Sequence, residues 1–403
     1  MDTHAVTASI EFQMSLLLFV SLAGYLIASR IGQPAVVGQI VVGLVVGPSV
    51  LGWITYTDFI SSVGHLGAVI LLFVIGLEFK LKDIARIKYL VIALFGVLVP
   101  WISGYYLATA FGFESHRAAI VGVALSATSI AITADTLKEL GKLKTSAAKA
   151  IIGAAIIDDV LALLALSFAN QFSAPETSHI TLVWISLKAF GFIIVGAFVG
   201  QVLMTRIMLR IDHSPLVKQY PELVFIFTMM VAFLYAMLAE LMGLSAIVGA
   251  FIAGVSLSTV NLTYGKQFRE GAEYLRIIFA SIFFVSLGVL VDIRAITPDI
   301  IGFIAALTLA GILSKIIGCG LPARLSGLDN REAIVVGIGM TPRGEVSAIV
   351  ALLALTQGII EQPLYVSLLM MSLLTTAVAP ILLRKLVTRL PDDIQTGIQP
   401  LDK

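Results

Sequence analysis

The chain has 403 residues, 59% hydrophobic and only 13% charged, with a formal net charge of +1 and a mean hydropathy of +1.02. A soluble domain carries about 25% charged residues, so these figures exclude a soluble globular protein and place the chain in a bilayer; the near-neutral charge points to no nucleic-acid partner. The single cysteine, Cys319, excludes an internal disulfide and a cysteine-based metal centre.

A membrane-spanning helix needs about 20 mostly apolar residues. Thirteen such runs are predicted: 10–29, 34–53, 62–79, 87–111, 117–136, 147–171, 180–205, 221–240, 243–260, 271–292, 298–321, 331–357 and 363–387. Each is too long and unbroken for a barrel strand, so the expected fold class is an all-α polytopic membrane protein. The first run has no basic residue ahead of it, and Asp2 and Glu11 flank its start. A secretory signal needs a basic leading region, so this run is expected to be a retained span. One transmembrane domain, 1–390, is expected, followed by a short cytoplasmic tail, 391–403.

Loop charges support the count. With thirteen spans, 21 of the 26 Lys and Arg fall on one side and only Arg117 and Arg294 on the other. Basic loops stay in the cytoplasm, which predicts an outside N-terminus and a cytoplasmic C-terminus. Three basic residues fall within spans. Lys188 is close enough to its helix end to snorkel; Lys315 and Arg343 are deeper.

The second run contains AVVGQIVVG (35–43) and the ninth AIVGAFIAG (246–254). LLFV (71–74) and FFV (283–285) share that offset, and VGVALSA (from Val121) is echoed by VGIGMTP (from Val336). Seven spans, an odd number, separate the members of each pair, so the copies have opposite orientation. The predicted plan is a first repeat at 10–171, a linker helix at 180–205 and an inverted second repeat at 221–387. Secondary transporters often use this plan, with the site at the midplane between repeats.

The fifth run carries SATSIAITAD, with Ser126, Thr128 and Ser129 at its centre. The matching place in the twelfth is MTPRGEV, where Pro342 removes a backbone donor and Gly344 loosens the helix beside Arg343 and Glu345. Both stretches are expected to interrupt their helices, and freed carbonyls and half-helix ends suit a hard cation. The sixth run holds adjacent carboxylates, Asp158 and Asp159. Neighbouring helical residues point about 100° apart, so one can face a cavity while the other meets a neighbouring helix. Lys315, in LAGILSKIIGCG, offers that neighbour a charge. Low dielectric favours the protonated form of a carboxylate, and a small hard cation uses the same oxygens. Proton and cation therefore exclude each other at one site, and a buried lysine can lose its own proton when the cation arrives.

With these residues in place, the chain resembles the second branch of the cation:proton antiporter superfamily, the bacterial and archaeal sodium/proton antiporters with paired aspartates. The resemblance rests on QPAVVGQIVVGLVVGPSVLG (33–52), LLFVIGLEFKL (71–81), ATSIAIT (127–133), GAAIIDDVL (153–161), SKIIG (314–318) and MTPRGEVS (340–347). It implies thirteen helices in a core and a dimerisation domain, two crossing interrupted helices, a homodimer in a prokaryotic plasma membrane, and elevator-like movement of the core. It assigns Asp159 as the carboxylate that binds Na⁺ and Asp158 as the partner of Lys315. Thr128 and Ser129, in one interrupted helix, join Asp158 and Asp159 as ion-binding residues; Arg343 and Glu345 balance charge in the other, with Glu78 a partner for Arg343. It implies no cofactor beyond the transported Na⁺ or Li⁺ and H⁺.

The paired aspartates with a lysine are similar to the electrogenic sodium-type subgroup. Potassium-efflux members carry a long nucleotide-sensing domain, which the sequence does not contain, so sodium is favoured over the alternative of K⁺/H⁺ exchange. Two other classes compete. An intramembrane aspartyl protease also uses two aspartates, but on different helices, whereas Asp158 and Asp159 are neighbours. An organic-anion transporter of the same fold would not need Lys315 opposite a paired aspartate.

Overall fold

The computed structural model describes residues 9–80, 86–171, 179–220, 222–260, 263, 265–296 and 298–387. These residues form helices and loops, with no strand among them. In chain order the helices are α1 (Ile10–Arg30), α2 (Ala35–Val46), α3 (Asp58–Gly76), α4 (Ile87–Ala110), α5 (Ser115–Ser126), α6 (Ile130–Glu139), α7 (Ser146–Gln171), α8 (His179–Val199) and α9 (Thr205–Asp212). There follow α10 (Pro215–Gln219), α11 (Glu222–Leu241), α12 (Ala246–Leu257), α13 (Gly265–Val289), α14 (Pro298–Lys315), α15 (Leu321–Leu325), α16 (Asn330–Gly339), α17 (Glu345–Thr356) and α18 (Gln362–Val387). Single wide turns, Gly200–Met204 and Ile316–Gly320, join α8 to α9 and α14 to α15. The expected tail, 391–403, lies outside the described residues.

Among the described residues, nine helical stretches are long and apolar enough to cross a membrane, with α5 and α6 counted as one stretch. Helices α2 and α12 have only 12 residues each. The run predicted at 34–53 ends early because Pro48 follows Gly47, and a residue before proline is pushed out of helical geometry. Helix starts follow local chemistry. Thr57 and Ser245 cap α3 and α12 through their hydroxyls. Asp329 and Glu332 cap α16 reciprocally: Asp329 Oδ1 accepts from Glu332 N at 2.6 Å and Glu332 Oε2 accepts from Asp329 N at 3.2 Å.

The helices pack as two bundles. Helices α1, α2, α3, α11, α12 and α13 form one; α4 to α7 and α14 to α18 form the other. Helix α8 touches both, through α7 and α12. Between the bundles, α6 lies against α2 and α3, and α18 against α2. Within the first bundle, glycines bring backbones into direct contact. Gly38 meets the Gly24 carbonyl and Gly249 meets the Tyr235 carbonyl, the same contact displaced by 211 residues. Gly43 meets the Val285 carbonyl, and Gly254, 211 residues on, meets that of Phe73. A side chain at any of these four positions would drive two helices apart.

Candidate functional site

The second bundle contains two breaks. Helix α5 ends at Ser126 and α6 begins at Ile130; Ala127 and Ser129 are extended. Helix α16 ends at Gly339 and α17 begins at Glu345. Each break frees backbone groups, and the two breaks bond to one another. Ser129 N donates to Pro342 O at 2.8 Å. The Thr128 hydroxyl approaches Met340 O at 3.5 Å, and that of Thr133 donates to Gly339 O at 2.6 Å. Gly344 leaves room for this approach: a Cβ there would stand 2.7 Å from Ser129 Oγ.

Arg343 is fully buried within the second break. Its Nη1 donates to Thr341 O at 2.6 Å and Met340 O at 3.2 Å, and its Nη2 approaches Gly311 O on α14 at 3.4 Å. The Arg343 carbonyl accepts from the Thr376 hydroxyl of α18. The guanidinium thus neutralises the carbonyl end of α16, where a helix carries partial negative charge.

Glu78 does not partner Arg343. Helix α3 ends at Gly76, which carries Glu78 beyond the helix, where its Oε2 lies 3.8 Å from Lys144 Nζ. The Glu345 side chain lies outside the described residues.

Asp158 and Lys315 pair directly. Lys315 Nζ stands 3.0 Å from Asp158 Oδ1, and the two side chains are 0% and 1% exposed. The pair fits because α4 has no side chain above it: a Cβ on Gly96 would lie 2.6 Å from Cys319 Sγ and 3.7 Å from both charged atoms. The wide turn Ile316–Gly320 follows Lys315, and Gly318 in it packs on the Phe95 carbonyl of α4. Such turns recur at functional sites.

Asp159 points elsewhere. It is half-buried, and its Oδ2 accepts from the backbone N–H of Ser245 at 3.2 Å. Ser245 caps α12, so this carboxylate of one bundle sits at a helix N-terminus of the other, where the helix dipole favours negative charge. The structure therefore joins Asp158 with Lys315, and Thr128 and Ser129 with the α16–α17 break. The described contacts of Asp159 reach Ser245, not either hydroxyl.

Sequence reasoning missed Ser245, because its contribution is a backbone amide that any residue but proline supplies. It also missed Gly96 and Thr376, which bear on the site only through packing. The buried arrangement holds one neutralised ion pair and, one residue away, a carboxylate whose partner among the described residues is a neutral donor. Such a carboxylate can hold a proton or a small cation.

Residues 16–389 match the family described as "Sodium/hydrogen exchanger, transmembrane". The Na(+)/H(+)-K(+) antiporter GerN of Bacillus cereus is 35% identical over 378 residues, 93% of this chain and 95% of that protein. The Na(+)/H(+) antiporter of Enterococcus hirae is 31% identical over 379 residues, 92% and 96% of the two chains. The fold matches that of the sodium proton antiporter MjNhaP1 from Methanocaldococcus jannaschii with a TM-score of 0.68 at 18% identity, covering 92% of this chain and 94% of that one. The chain is a multi-pass membrane protein and belongs to the sodium/hydrogen exchanger family of cation:proton antiporters.

Proposed function

We propose that the protein exchanges Na⁺ or Li⁺ for H⁺ across a prokaryotic plasma membrane, with both ions competing for Asp159. It works as a secondary transporter without a cofactor, not as an enzyme. The observation that carries this reading is the division of labour between adjacent aspartates. Lys315 already neutralises Asp158 at 3.0 Å, whereas the partner of Asp159 among the described residues is a backbone N–H at 3.2 Å. A carboxylate locked to a lysine exchanges ions poorly; one held by a neutral donor can alternate between proton and cation.

The two bundles supply the moving parts. The second, with both breaks and both aspartates, is the core that moves against the first, which dimerises with a second copy. Contacts that recur 211 residues apart support inverted repeats, and with them thirteen spans. Basic loops orient the N-terminus outside and the C-terminus in the cytoplasm. Electrogenic exchange needs a second proton per cation, and Lys315 is the group placed to release it. Potassium is the second reading, favoured by the name of the Bacillus cereus relative, which includes K⁺.

A cation panel tests this. Purified protein in liposomes with an acid interior should release protons on addition of Na⁺ or Li⁺ and respond at least about tenfold less, or 1.4 kcal/mol, to K⁺. A response to K⁺ alone would replace sodium with potassium, and none to any of the three would reject cation/proton exchange.

A further inference from the structure

The seam between the bundles holds a group of charges that the ion site does not use. Asp135 and Lys138 lie on α6; Glu273 and Arg276 lie on α13. Each pair is spaced i, i+3, which puts both members on one face of their helix. The faces meet in a series of alternating sign, Asp135–Arg276–Glu273–Lys138. Arg276 Nη1 donates to Asp135 Oδ1. Its Nε and Nη2 donate to Glu273 Oε1 at 3.0 and 2.7 Å. Lys138 Nζ returns to Glu273 Oε2 at 2.7 Å. The side chains are 11% exposed for Asp135, 15% for Arg276, 19% for Lys138 and 34% for Glu273. Two further ties leave the same segment for the same bundle: Glu139 Oε2 accepts from Ala35 N at the start of α2 at 2.9 Å, and Lys144 approaches Glu78.

We propose that Asp135, Lys138, Glu273 and Arg276 are positioning residues for transport: they clasp the half-helix α6 to α13 in one orientation of the core and part in every cycle. The inference rests on movement of one bundle against the other. Helix α6 begins at the Ser129 break and shares the core with Asp159, so any displacement that carries the site across the seam must pull α6 past α13. A quartet with matched charges on both sides holds one register and penalises intermediate ones, because parting leaves partly buried charges without partners. It acts on the population of the two orientations rather than on ion binding itself, and therefore moves apparent affinity by changing the fraction of protein competent at each face.

Arg276→Gln and Asp135→Asn, assayed in vesicles of both orientations, should shift the apparent KM for Na⁺ in opposite directions at the two faces, each by about fivefold. The exchanged pair, Asp135→Arg with Arg276→Asp, should return both values toward wild type. Equal shifts at both faces, unchanged KM, or a swap no better than the single variants would reduce the quartet to a structural tie. A second measurement covers variants that fold poorly. Cys319 is buried and is the chain's single cysteine, so thiols placed by Asp135→Cys and Arg276→Cys can be joined with a short bifunctional methanethiosulfonate reagent. Joining should arrest exchange and reduction should restore it; undiminished exchange by fully joined protein overturns the clasp. Wild-type protein is the control in both experiments, and its failure to exchange would reject the proposed function rather than the clasp.

Discussion

Asp159→Asn should reduce cation-driven proton flux in liposomes to that of empty vesicles while leaving the protein folded. The amide matches the carboxyl in shape, and its oxygen can still accept from Ser245 N, the contact Asp159 makes at 3.2 Å. What is lost is the negative charge and the proton it takes up. Because Asp159 is only half-buried, its neutralisation orphans no charge, and melting in detergent should change little. Asp159→Glu should keep partial activity, since the carboxylate remains but is displaced by a methylene. Wild-type flux from the Asn variant would reject Asp159 as the ion site, whatever becomes of the family assignment.

Lys315→Ala should act differently, because Lys315 is a partner rather than a carrier of Na⁺. Its ammonium is fully buried 3.0 Å from Asp158, and removing one member of a buried pair costs about 3–5 kcal/mol. The expected result is a lower melting temperature, retained preference for Na⁺ over K⁺, and loss of the flux driven by membrane potential. Asp158→Asn combined with Lys315→Ala should recover much of the stability, since no charge is then left alone. If a membrane potential drives wild type and Lys315→Ala alike, Lys315 carries no part of the coupling.

The site was legible in the sequence where chemistry conflicts with surroundings. Two carboxylates, a lysine and an arginine in apolar runs are costly, so each stands out without structural knowledge. Pro342 and Gly344 mark a helix that cannot continue, and the structure breaks there, between Gly339 and Glu345. Partners were harder to read. Glu78 and Arg343 are opposite charges, yet α3 ends too soon to bring them together, and the Nη groups of Arg343 donate to carbonyls that have no sequence signature.

The clasp was illegible for a related reason. Arg276 begins an apolar run and passes for a loop charge, while Asp135 and Lys138 end another. Only packing shows that their i, i+3 faces meet. Helix lengths were overestimated at α2 and α12, which stop after 12 residues, the first where Pro48 follows Gly47.

The central claim, that Na⁺ and H⁺ occupy Asp159 in turn, is tested most directly by measuring the apparent KM for Na⁺ and the maximal rate across a pH series at zero membrane potential. Competition for one carboxylate predicts that on the acid limb KM rises at least about tenfold per pH unit, more steeply where Lys315 gives up its proton as well, while the rate at saturating Na⁺ stays constant. A KM that ignores pH while the maximal rate falls would mean that the proton acts at a different group, and would contradict the shared site.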